Sequence, residues 1–179
     1  MVWMFSVLCS LAVMGISGIV PLDGTPLASD EPPGFLLLWT RYSAHLAFLF
    51  LLAAFLASTA HRRWRHPVTR VLMSYRRQLG LGFATAHAFH LAALTLFLLN
   101  LEGFSATASL AVAAFGYVVT TALAVTSNNW SVRRLGVNQW RLLHTTGINI
   151  LMLYFFVAFG AALIQKGGTV YAVYVFAIV

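Results

Sequence analysis

Residues 76–99 read RRQLGLGFATAHAFHLAALTLFLL: two arginines, then an apolar run from Leu79 to Leu99 with His87 and His90 inside it. A hydrocarbon core ~30 Å thick is crossed by about 20 apolar helical residues, which is the length of this run. Four other runs have that length, roughly Val2–Val20, Phe35–Thr59, Ala106–Val125 and Leu142–Ile164. A sixth, Thr169–Val179, reaches only ~16 Å by helix rise, so either the sequence stops early or the last helix is partial. The expected fold is an all-α integral membrane protein. A single membrane domain over residues 1–179 is a bundle of five full transmembrane helices plus a short or truncated sixth.

The rest of the chain agrees with that reading. Sixty per cent of its 179 residues are hydrophobic and 8% are charged, against ~45–50% and ~25% in soluble domains. A soluble enzyme, a disordered chain and a nucleic-acid-binding module are excluded. Cys9 is the one cysteine, so there is neither a disulfide framework nor a cysteine cluster for zinc or iron–sulfur. No Lys or Arg precedes Arg41. The first run therefore lacks the basic start of a signal peptide and reads as a retained helix.

Charge sets the orientation. Segment Ala60–Gln78 holds Arg62, Arg63, Arg65, Arg70, Arg76 and Arg77, and segment Ser127–Arg141 holds Arg133, Arg134 and Arg141. The acids Asp23, Asp30, Glu31 and Glu102 fall in the alternate loops. The positive-inside rule then makes the arginine loops and the N-terminus cytoplasmic. The third and fifth spans run parallel, outward. Pro21–Gly34 is an external connector, and His61 and His66, set among arginines, are expected to be solvated.

The two arginine segments share text. Ser74-Tyr75-Arg76-Arg77-Gln78-Leu79-Gly80 precedes His87 and His90; Ser131-Val132-Arg133-Arg134-Leu135-Gly136 precedes His144. Ionisable residues inside a span are costly and mark functional sites. Paired helical hairpins place such sites between them. Arg77 to His87 and Arg134 to His144 are both ten residues, which predicts similar depths. Imidazole is an axial ligand of haem iron, and bundles supply such ligands from facing helices. His144 and either His90 or His87 are therefore the candidate bis-His pair of a haem b. Gly82, Ala86 and His90 form an i, i+4 stripe whose missing bulk would admit a porphyrin, and Gly147 does the same beside His144. Arg141, a turn nearer the cytoplasm, suits the propionates, with Trp140 beside it. His45 sits ~15 Å into the second span, where it would bond a propionate, line a quinone site or, alternatively, ligate a second haem.

These residues resemble the ferric reductase-like transmembrane domain family, and within it the haem-binding subunits of methionine sulfoxide reductase systems. The resemblance lies in Arg76-Arg77-Gln78-Leu79-Gly80-Leu81 followed by His90-Leu91. It continues in Leu123-Ala124-Val125-Thr126-Ser127 with Arg133-Arg134-Leu135-Gly136, Trp140 and Leu143-His144, and more weakly in Arg41–Ala44 and Leu49–Ala53. It implies a b-type cytochrome of the bacterial inner membrane. Electrons would pass from a quinol or a cytosolic flavin reductase toward a periplasmic reductase, the chain serving as an electron-transfer subunit rather than a complete enzyme. The family usually has a further histidine where this chain has Val157, and the broader family another near Phe104. These departures point to one haem rather than two. No GxGxxG motif follows a strand, so this chain has no NADPH or FAD domain. The competing readings are a haem-free structural subunit of a larger complex and a metal-only site at His45, His87 and His90. The latter lacks soft or carboxylate co-ligands. A transporter would need polar or broken spans, which this sequence does not show.

Overall fold

The computed structural model describes residues 2–17, 34–100, 108–166 and 168–178. Most of the expected external connector, all four acids and Phe104 lie outside the described residues. Among the described residues eight helices follow in order: α1 Val2–Ile16, α2 Phe35–Arg63, α3 Pro67–Ser74, α4 Arg76–Leu99, α5 Ala108–Val125, α6 Asn129–Leu135, α7 Val137–Lys166 and α8 Thr169–Ile178. There is no strand among the described residues.

The chain is an all-helical membrane protein, but five full spans are not what the structure supports. Among the described residues three helices, α2, α4 and α7, are long and apolar enough to cross a bilayer. The fourth expected run forms α5, which qualifies only together with α6 across a 99° bend. The 15 residues of α1 rise only ~22 Å, and the 10 of α8 only ~15 Å. The first apolar run is longer than α1, which ends at Ile16 with Ser17 in a turn.

Both arginine segments, expected as loops, contain helices. In α3, Pro67 takes the first helical position, where a missing N–H costs nothing. The His66 ring accepts from Val68 N–H at 3.3 Å while the Thr69 hydroxyl accepts from His66 N–H at 3.2 Å, a reciprocal cap. His66 is thus a capping residue. In α6, Asn128 Oδ1 accepts from Ser131 N–H at 2.8 Å. Gly136, at φ 79, ends α6 in a conformation that costs other residues energy and turns the chain into α7.

The core lies where α2 meets α4, α7 and α8, around Phe48, Leu51, Phe83, Leu151, Phe155 and Phe159. In lipid, helices gain little from hiding apolar surface, so close packing holds them together. Gly82 shows this. A Cβ there would lie 3.0 Å from Phe50 of α2, and its carbonyl accepts from the Ser6 hydroxyl of α1 at 2.7 Å. The small-residue stripe of α4 is therefore used, at Gly82, for packing α1 and α2 rather than for a porphyrin. Gly147 likewise makes room for Leu123 of α5, 2.8 Å from its virtual Cβ. By contrast α4 and α7 do not pack extensively on each other; two cavities lie between them.

Candidate functional site

The first cavity, of about 270 Å³, opens among the arginine-bearing ends of α4 and α7. Arg76, Arg77 and Gly80 of α4 face Trp140, Arg141, His144 and Thr145 of α7, with Thr120, Leu123 and Ser127 from α5 and its end. The shared level of Arg76, Arg77 and Arg141 means that α4 and α7 run in the same direction from that end. Arg77 also donates to Asn129 Oδ1 at 3.0 Å, tying α4 to α6.

His144 is fixed on two sides. Its ring stacks on Trp140 at a 4.3 Å centroid distance, and Trp140 Nε1 donates to the Thr126 carbonyl at 2.8 Å. His144 Nε2 lies 2.9 Å from Thr126 Oγ1. The Thr126 hydroxyl also sits 2.6 Å from the Ala122 carbonyl. Its single proton goes to that carbonyl, so Nε2–H donates to Thr126 and Nδ1 keeps the lone pair.

The second cavity, of about 160 Å³, lies deeper between α4, α5 and α7 and is lined by His87, His90, Tyr117 and Tyr154 among apolar groups. The Phe83 ring borders the first cavity and stacks on His87 at 5.0 Å, so it stands between the two. His87 is buried, packs face to face with Tyr117 at 4.3 Å, and its Nδ1 has no hydrogen-bond partner. The Tyr117 hydroxyl is buried without a partner as well. His90 also reaches α2, its Nδ1 3.1 Å from Ser43 Oγ. Both histidines line this cavity, and His87 is the one packed more closely on α5 and α7, 4.3 Å from Tyr117 and 6.1 Å from Phe155, against 6.5 Å from His90 to Tyr117.

The structure does not bring His144 and the His87/His90 pair to one level. His144 touches Thr126 and His87 touches Tyr117, nine residues apart along α5, or ~13 Å by helix rise. Two imidazole nitrogens across one metal ion sit ~4 Å apart, given bonds of ~2 Å. The matched count of ten residues fails because α6 and Gly136 intervene. Depth on α7 is measured from Val137, so His144 is about two turns in, while His87 is three turns into α4. The lining of the first cavity offers one imidazole and three guanidinium groups, a set that suits carboxylates. It offers no second histidine.

His45 lines neither cavity. Its ring meets Tyr174, Phe159 and Tyr171 edge-on at 5.3, 5.8 and 5.9 Å, in the corner where α8 folds against α2 and α7. It is thus away from the arginine end, where propionates would be held. No cluster of three or more His, Cys, Asp or Glu occurs among the described residues. Val157, where the resembling family has a histidine, is exposed. Thr126, Arg76 and Ser43 enter the sequence reading with no role at the site, and Tyr117 does not enter it at all. A hydroxyl near the end of an apolar run signals Thr126. Nothing local signals the stacking of Tyr117 on His87.

Compared with known proteins, the chain matches no family model and no solved structure.

Proposed function

We propose that the chain is a membrane b-type cytochrome, of ferric reductase-like kind, with the arginine ends and the N-terminus on the cytoplasmic side of a bacterial inner membrane. One observation carries this reading: a cavity between two candidate spans joins His144 to Arg76, Arg77 and Arg141. Guanidinium groups bind carboxylates in bidentate fashion, which suits propionates at the membrane boundary. Thr126 and Trp140 hold the imidazole of His144 in place. When bound, haem supplies one-electron transfer. The donor is a quinol or a cytosolic flavin reductase, and the acceptor lies outside the membrane. The finer topology, with α1 and the α5–α6 pair also crossing the bilayer, belongs to this proposal.

The bis-His form, His144 with His90 or His87, requires α4 and α7 to shift along each other when the group binds. A reduced-minus-oxidised spectrum of the purified chain tests the reading. Haem bands that vanish in His144→Ala support it; a low-spin spectrum supports the bis-His form, and a high-spin one assigns His144 alone. The second reading is a haem-free structural subunit. It is favoured by the hydroxyl partners of His90 and His144, since histidines join spans in this way without any ligand. Purified chain without haem bands, even after added haem, supports that reading.

A further inference from the structure

The arginine end carries a second feature, outside the cavities. Val68, Val71 and Tyr75 follow the three-and-four spacing of one helix face on α3 and its C-terminal cap. All are exposed, Val68 at 66% and Val71 at 56%, and α3 buries none of its residues. Trp64, just before α3, is exposed too, with the Arg63 guanidinium 6.0 Å over its ring. The exposed Arg62, Arg63 and Arg65 precede α3 and the exposed Arg70 lies on it, and no carboxylate is present among the described residues. The helix joins the arginine ends of two candidate spans, α2 and α4, so it lies at a membrane boundary.

We propose that α3 is an interfacial helix that lays Val68, Val71 and Tyr75 among acyl chains and sets its flanking arginines on the phosphates of anionic lipids. An apolar stripe rimmed by cations is the form such helices take. Trp and Tyr at its ends suit the headgroup level. The occupant is an anionic lipid rather than a soluble protein because charge and apolar face are both matched by one leaflet. The proposal is independent of haem binding.

The test uses the full chain with Cys9→Ser and Val68→Cys, labelled with a fluorophore. It is reconstituted in phosphatidylcholine vesicles with and without phosphatidylglycerol. Doxyl groups on the acyl chains should quench the probe, more strongly from phosphatidylglycerol than from phosphatidylcholine. Arg65→Gln with Arg70→Gln should lower that preference by about fivefold per arginine. Salt at 1 M, where the screening length is ~3 Å, should abolish it. Quenching by aqueous iodide but not by doxyl lipid overturns the insertion and leaves the stripe to a soluble partner. Equal doxyl quenching from both headgroups, unchanged by the arginine substitutions, overturns the anionic-lipid assignment.

Discussion

Thr126→Val separates two ways in which His144 could use its ring. The hydroxyl accepts Nε2–H at 2.9 Å and donates to the Ala122 carbonyl at 2.6 Å. Valine keeps the branched shape and removes both bonds. The Trp140 indole is held by the backbone carbonyl of Thr126, so its stack on His144 survives. A net hydrogen bond contributes about 0.5–1.5 kcal/mol, and the free chain should melt a few degrees lower. The larger effect falls on the cofactor. If iron takes Nδ1, Thr126 is the group that orients the ligand, and loss of such a partner typically weakens metal binding ~10–100-fold. Haem titration of the purified chain in detergent, followed in the Soret region, measures this directly. The expected result is a dissociation constant raised about tenfold or more, together with the lower melting temperature. A variant that melts lower yet binds haem more tightly would refute the reasoning. Thr126 would then be a competitor for Nε2.

Arg141→Gln should weaken haem retention or shift the reduction potential, because one of three guanidinium groups at the cavity is removed; no change in either leaves Arg141 as a topological anchor only. Gly147→Ala puts a Cβ 2.8 Å from Leu123 Cδ2. Crowding of this kind costs about 1–3 kcal/mol, so thermal unfolding should occur at a lower temperature, and an unchanged midpoint would show that Leu123 swings freely into the cavity. His45→Ala should leave one haem per chain by pyridine haemochrome assay, since His45 lines neither cavity; two haems falling to one would make His45 a ligand.

Helices that follow an apolar run are legible in the sequence. The second expected run begins at Phe35 as α2 does, and the fourth ends at Val125 as α5 does. What was missed lies in the arginine segments. Their charge suggested loops, yet the start and stop signals were present in Pro67, Asn128 and Gly136. Short helices of 8 and 7 residues have no apolar run to betray them, and only caps mark their ends.

The site was legible as a set of residue types but not as a geometry. His144 with Arg141 and Trp140 does form one cluster, because i, i+3 and i+4 neighbours on one helix meet whatever the rest of the fold does. Matching His144 to His87 needed a common origin for two helices, and equal spacing from two Arg-Arg pairs supplied a false one. Arg133 and Arg134 belong to α6, which is bent 99° from α5, and so they mark no depth on α7. The small residues misled for a related reason. A glycine in a span says that something comes close, not what. At Gly82 the neighbour is Phe50, and at Gly147 it is Leu123. His87, buried with an unpartnered Nδ1 in the middle of α4, keeps the signature expected of an intramembrane imidazole awaiting a partner, whereas His61, whose Nδ1 is also buried without a partner, lies in the last turn of α2. His87 lies on the far side of Phe83 from His144. Whether haem binding brings those two levels together is therefore a question about movement of α4 against α7, and the spin state of the bound iron answers it.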